Sequence, residues 1–324
     1  MPLLWVTWGW DNTIRRNHQQ TLTVQTLLHH GRLQELPPLG PFRIEGLWHL
    51  SSPNSGFLGW SAMTIRPSGA FMAFSDRNMR LRFMPPGYDG RYAPGLHRIV
   101  IRRAIFSRLP GGAFAQFDIE SVQADPDGSL WFGLEADARL IRISPDRRHG
   151  TFVAVPEMND WPENGGAEAM TRTPDGRWVI LCESCDTGRD GHHPGLLFDK
   201  APDQARARSF DIVLPRGFDP VDMTTLPDGR LLILTRRLAW LLPHFESGLV
   251  LADLSALRPG QPLETRELAR IVTRELRENY EAMVVQSDAH GPAVWLLSDD
   301  NGMALQQTRL LKLRLDLAAL PPVH

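Results

Sequence analysis

One phrase recurs five times in this sequence: an apolar strand, a Pro-Asp-Gly-like turn, and a second apolar strand ending in a polar pair. The copies run from Ser61 to Asp76, Glu120 to Glu135, Glu168 to Glu183, Val221 to Arg236 and Glu281 to Asp299, the last with a longer turn. They begin 48–60 residues apart, a period that fits the four-stranded blades of a propeller with generous loops. Pro pre-sets φ, Asp bonds back to the backbone and Gly takes the positive φ, so each phrase reads as a hairpin. The fold expected is all-β, a β-propeller of five four-stranded blades.

Further strands are predicted after the hairpins, at 139–144 and 151–155 in the second unit and at 209–214 in the third. The last unit ends at Arg309-Leu-Leu-Lys-Leu-Arg-Leu, which supplies only a third strand. Its fourth is expected from Phe42-Arg-Ile-Glu-Gly-Leu-Trp-His-Leu, so that pairing of N- and C-terminal segments closes the ring and leaves no free edge. A sixth blade built from the divergent first 58 residues is the alternative. The division expected is a divergent N-terminal segment, 1–40, and a propeller domain, 41–324. The best helix candidate is the stretch Leu263 to Asn279, rich in Glu, Arg and Leu, which reads equally as strand plus loop.

Within each hairpin the first strand starts and the second ends at the same edge, so two columns of residues meet at one mouth of the channel. The first column is Ser61, Glu120, Glu168, Val221 and Glu281; the second is Asp76, Glu135, Glu183, Arg236 and Asp299. Simple two-residue turns place Glu120 opposite Glu135 and Glu168 opposite Glu183, and a glycine bulge shifts that by one position. Like charges facing one another across strands are destabilising, and paired carboxylates need a cation or a shared proton. A ring of such pairs with no Cys or His donors suits a hard divalent cation, Ca²⁺ first and Mg²⁺ second. Glu120, Glu168, Glu281, Asp76 and Asp299 are the expected metal ligands. Glu135 or Glu183 is the expected general base. Arg77 and Arg236, with Arg237 nearby, are candidates to hold an anionic substrate group or balance the ring. Asn301 and the carbonyls of Asn164-Gly165-Gly166 offer neutral oxygens. The plainer reading is a hydrated channel whose inward acids do nothing else.

Other signals are weaker. Cys182 and Cys185 form a lone C-x-x-C outside any βα unit, read as two free thiols with a local disulfide as the alternative. His192 and His193 fall in a Gly/Asp-rich stretch and read as a solvent-exposed loop. Trp131, Trp178 and Trp295 occupy comparable positions after the turns, which points to packing between blades. There is no nucleophile elbow, H-E-x-x-H, P-loop or dinucleotide fingerprint. With a formal net charge of −2 and no apolar run approaching a membrane span, neither nucleic acid nor membrane insertion is expected. The apolar N-terminus lacks a basic leader and makes a poor signal peptide.

The motifs Asp118-Ile-Glu-Ser-Val, Phe74-Ser-Asp-Arg-Asn, Glu168-Ala-Met followed by Pro-Asp-Gly, and Asn279-Tyr-Glu-Ala-Met with Leu297-Ser-Asp-Asp-Asn and Gln307-Thr-Arg-Leu-Leu are together distinctive. From Leu47 to Asp316 the chain resembles the bacterial "esterase-like activity of phytase" family. That resemblance implies a propeller with hydrolase activity on an ester or phosphoester, and export from the cell, since many relatives are exported. Phytate itself fits poorly with a chain whose only lysines are Lys200 and Lys312. The function expected is divalent-cation-dependent hydrolysis of a small, anionic ester, phosphoester or lactone by a monomer. The alternative is a non-catalytic propeller that binds a ligand or protein at the same mouth around a structural cation.

Overall fold

The computed structural model describes residues 17–28, 32, 35–86, 95–104, 117–135, 138–239, 244–303 and 306–322. The apolar run of residues 1–10 lies outside them. Five antiparallel sheets stand around one axis as a five-bladed β-propeller. Blade I holds Trp60–Ile65, Phe71–Ser75, Met79–Phe83 and Val100–Arg103; blade II holds Ile119–Ala124, Leu130–Leu134, Arg139–Ile143 and Gly150–Ala154. Blade III holds Ala167–Arg172, Trp178–Cys182, His192–Phe198 and Arg208–Val213; blade IV holds Asp219–Thr225, Leu231–Ala239, His244–Ala252 and Thr265–Ile271. The helix candidate is therefore strand and turn: Thr265–Ile271 is the outer strand of blade IV, where Ala269 and Ile271 turn into the core on either side of exposed Arg270, the alternation of a strand.

Blade V has its expected four strands, and its sheet extends beyond them. Tyr280–Asp288, Gly291–Ser298 and Arg309–Leu315 are completed by Phe42–Ser51, as the missing strand required, and the sheet then continues through Thr21–Thr26 and Gly95–Arg98. The early residues thus widen blade V to six strands instead of building a sixth blade. Thr21–Thr26 lies within this sheet, paired with both Phe42–Ser51 and Gly95–Arg98. Among the described residues no helix is long and apolar enough to cross a membrane.

The second strands of blades I, II and III are buried at every position, since each is covered by neighbouring blades on both faces. The repeated turns close as expected. Gly128 and Gly176 sit at φ of 87° and 92° and donate back to Asp125 and Thr173, a conformation open to glycine at no steric cost. The inner strands touch their successors around a closed ring. Side chains stitch that ring to backbone: Ser61 Oγ donates to the Ile119 carbonyl, Ser121 Oγ to the Ala167 carbonyl at 2.6 Å, and the Met283 amide donates to Asp222 Oδ2 at 2.6 Å.

The tryptophans pack between blades as expected. Trp131 of blade II lies 5.2 Å from Trp178 of blade III, and Trp295 of blade V lies 5.2 Å from Phe71 of blade I. Trp178 is fully buried, so Trp178→Ala should lower stability by about 3–5 kcal/mol. Urea denaturation followed by circular dichroism will measure it, and a loss below about 1 kcal/mol would contradict this packing role.

Candidate functional site: an acidic mouth balanced by one arginine

The first-column residues reach the channel by a common device. In every blade the inner strand carries a register shift at that column, between Trp60 and Ala62, Ile119 and Ser121, Ala167 and Ala169, Pro220 and Asp222, and Tyr280 and Ala282. Ser61, Glu120, Glu168, Val221 and Glu281 are thus each the extra residue of a β-bulge, which re-aims a side chain and leaves it outside the ladder. The simple cross-strand pairing of Glu120 with Glu135, and of Glu168 with Glu183, is corrected by these bulges. Glu135 instead bonds across to Asp118, its amide donating to the Asp118 carbonyl at 3.1 Å, and the Glu183 amide donates to Gly166. Asp76 faces Gly59, Arg236 faces Asp219 and Asp299 faces Asn279 in the same way.

A third set of residues therefore joins the two columns, and Asp118, Asp219 and Asn279 are its polar members. Sequence reasoning missed them. Their signal was the Asp-x-Glu and Asn-x-Glu spacing of Asp118-Ile119-Glu120 and Asn279-Tyr280-Glu281, which puts a polar group two residues ahead of the bulged acid.

One oxygen from each of Asp118, Glu120 and Glu135 lies within 4.8 Å of the others. Glu168, only 9% exposed, adjoins them from blade III. Burial and then the Glu183 and Glu281 charges push the Glu168 carboxyl well above the usual range. Glu120 is raised by burial and then by Glu168 and Asp118. Glu135 is raised to about 7 by burial and its contact with Asp118. On the blade I–V side, burial raises Asp76 to about 7 against the opposing pull of Arg77, and burial with Glu281 raises Asp299 to about 8.

Arg236 balances the opposite flank. Its guanidinium donates to Glu183 Oε1 at 2.9 Å, to Asn279 Oδ1 at 2.8 Å and to Glu281 Oε1, joining blades III, IV and V. Arg237 turns away to Glu246 at 2.6 Å and stacks on Phe218. Arg77 stays at the mouth, 3.9 Å from Asp76 Oδ1. Asn301 donates its backbone amide to Asp299 at 2.8 Å and its side-chain amide to Gln306 at 2.8 Å.

Three further expectations change here. Cys182 and Cys185 are joined in a disulfide around Glu183 and Ser184; a strand end and its following turn bring the two Cα atoms to 5.8 Å, inside the range a bridge requires. His192 and His193 open the strand His192–Phe198 rather than lying in a loop. His193 is 6% exposed and places Nδ1 3.0 Å from the Glu183 carbonyl. A carbonyl only accepts, so Nδ1 donates to it, and Nε2 lies 4.0 Å from Asp219 Oδ1. The Gly165 and Gly166 carbonyls are taken by the amides of Ser184, Glu168 and Glu183, while the Gly165 amide donates to Glu135 at 3.3 Å. That loop thus presents a donor to the site.

The residues fit a hard cation. Asp76 Oδ1 and Asp118 Oδ1 are buried with no hydrogen-bond partner. Among the described residues the Glu168 carboxylate accepts no hydrogen bond either, and Glu120 meets another carboxyl, that of Asp118. Every donor is oxygen, and ligands on one Ca²⁺ at about 2.3–2.6 Å span such separations.

Two measurements follow. Without metal, Asp76, Glu135 and Asp299 hold protons in the folded state that the unfolded chain, with carboxyls near 4, gives up. Their contribution is complete below about pH 4 and is lost as pH rises through about 7–8. Chelator-treated protein should therefore melt at a lower temperature at about pH 8 than at about pH 5.5, and a flat or opposite trend would contradict the protonated mouth. Arg236→Gln strands buried carboxylates and should cost about 3–5 kcal/mol in urea denaturation at neutral pH.

The profile of a family described as "Phytase-like: Esterase-like activity of phytase" matches residues 55–302. No curated protein matches the sequence. Among solved structures, one assigned as a gluconolactonase is 13% identical, with 91% of this chain and 92% of that one covered and a TM-score of 0.46. A luciferin-regenerating enzyme is 12% identical, with 83% and 84% covered and a TM-score of 0.44. A streptogramin B lyase is 13% identical, with 92% and 89% covered and a TM-score of 0.41.

Proposed function

Since the chain belongs to the phytase-like family described by esterase-like activity of phytase, we propose that its acidic mouth is the active site of a divalent-cation-dependent hydrolase. The substrate class is a small anionic ester, phosphoester or lactone. The observation that carries this reading is the convergence of partly or wholly buried carboxylates, Asp118, Glu120, Glu135 and Glu168, at one mouth of the channel, with Asp118 Oδ1 left without a donor. Surrounding a carboxylate with others in a buried site is unfavourable unless a proton or a cation joins them.

Ca²⁺ is the ion that the all-oxygen donor set favours, with Mg²⁺ second. Glu120, Glu168 and Asp118 would hold it, with Glu281, Asp76 and Asp299 supplying charge or further oxygens around the ring. Bound there, the cation supplies Lewis-acid polarisation of a carbonyl or phosphoryl oxygen. Glu135 acts as general base: one of its oxygens lies within 4.8 Å of the proposed ligands Asp118 and Glu120, within reach of a water held there. The Gly165 amide fixes its orientation. Glu183, the other candidate base, is ion-paired to Arg236 and serves to position that guanidinium. Arg77, at the rim, orients the anionic group of the substrate, and Asn301 shapes the same edge by holding Asp299.

Chelator-stripped protein titrated with Ca²⁺, Mg²⁺, Mn²⁺ and Zn²⁺ should show a saturable rise in melting temperature with a hard cation, and Glu168→Gln should abolish it. An unchanged response in that variant would sink the metal assignment. With the effective ion present, 4-nitrophenyl acetate, 4-nitrophenyl phosphate and a γ-lactone test turnover. Glu135→Gln should lower kcat by about 10²–10⁴-fold with little change in KM. Cation binding without turnover of any of the three would favour the binding-module reading.

A further inference from the structure

Charge is segregated along this chain. The span of blade I, residues 60–104, holds eight arginines, two aspartates and no lysine or glutamate, a formal +6 within a chain of net −2, so the remainder carries −8. Arg77 belongs to the mouth, but Arg66, Arg80, Arg82, Arg98 and Arg102 lie on the hairpin turn and outer strands. Arg80 stands directly across from Arg102 in the antiparallel pairing, and Arg82 follows Arg80 on the same face. Like charges so opposed are destabilising. Among the described residues none of the five forms an ion pair. Burial, followed by Arg102, Arg66 and Arg82, holds the Arg80 guanidinium below its ordinary value, and Arg147 of blade II is lowered by burial and then by Arg66 and Arg80.

Next to this cluster is a cleft of about 710 Å³, lined by Arg82, Arg98, Ser68, Gln20, Thr21 and Phe83 among others, with no acid in its lining. It sits at the turn end of the blade I hairpin, remote from the end that carries Ser61 and Asp76. We propose that this cleft binds a soluble polyvalent oxyanion, a small compound bearing two or more phosphate groups, gripped by Arg82 and Arg98 beside the Ser68 hydroxyl. Planar guanidinium forks suit phosphate oxygens bidentately, and Arg66, Arg80 and Arg102 add the field that draws a multiply charged ligand. The cleft's concavity and volume suit a small molecule, whereas a lipid surface or a nucleic-acid backbone would call for an open basic face.

Calorimetric titration of the whole chain with tripolyphosphate in excess chelator tests this without help from a bridging cation. One saturable site is expected, weakening steeply with added salt, and Arg82→Gln/Arg98→Gln should reduce its affinity about tenfold or more. Arg80→Gln should weaken binding yet raise the melting temperature of the free protein, because it removes a repulsion. Glu168→Gln should bind tripolyphosphate as the wild type does. No binding, undiminished binding by the double variant, or loss of binding in Glu168→Gln would each overturn the proposal. So would sedimentation with vesicles of phosphatidylcholine and phosphatidic acid in the absence of tripolyphosphate binding.

Discussion

A single guanidinium allows several blades to bring their acids to one mouth. Arg236 reaches Glu183 of blade III, and Glu281 and Asn279 of blade V, from within its own strand in blade IV. It is the one second-column residue that is not an acid, and it lies where the inward carboxylates of two neighbouring blades meet. Burial alone would lower its charge, but the Glu281, Glu183 and Glu168 carboxylates outweigh that and keep it cationic. The flank it serves is therefore a set of ion pairs. The flank with which its guanidinium makes no hydrogen bond, from Asp118 to Glu168, gathers carboxylates against one another, and Asp118 Oδ1 there has no donor. This asymmetry separates a supporting half of the mouth from a half suited to an added cation.

The bulges explain how an ordinary sheet delivers these groups. A strand interior alternates sides, so a regular inner strand offers one inward residue in two, spaced along the channel. One extra residue at the same level of all five blades sends an additional side chain inward there. The turn end of blade I carries the opposite sign. The arginines of blade I thus gather away from the acids of the mouth, at the other end of the same hairpin.

Much of this was legible in the sequence. The five copies, their Pro-Asp-Gly turns and the shortfall of one strand after Leu315 led directly to a propeller closed by Phe42–Ser51, because periodicity and turn chemistry are local properties. The convergence of both columns followed from hairpin geometry alone. The bulges themselves left no residue signature at Ser61, Glu120 or Val221, so which acid faces which was hidden. The Cys182–Cys185 bridge and the burial of His193 depend on how the strand His192–Phe198 returns beside Glu183, a tertiary matter. The partners of Arg236 come from two other blades, and no single repeat contains that information. The clustering of Arg80 with Arg102 required knowing which outer strands pair.

The seam between the chain's two ends has a consequence for biogenesis. In order of synthesis Phe42–Ser51 precedes the inner strands of all five blades, yet its partner Arg309–Leu315 follows them all. Until then the strand is protected on one edge by Thr21–Thr26, while the other edge remains an open template for foreign strands. Closing a loop of that length fixes the topology late and makes folding slow. Once closed, Arg314 grips Glu45 of the early strand and Asp288 of the inner hairpin together, with Lys312 on the same Glu45. The last strand made is thus the latch, and a ribosome stalled shortly before Arg309 would hold five nearly complete blades that have no means of becoming a ring.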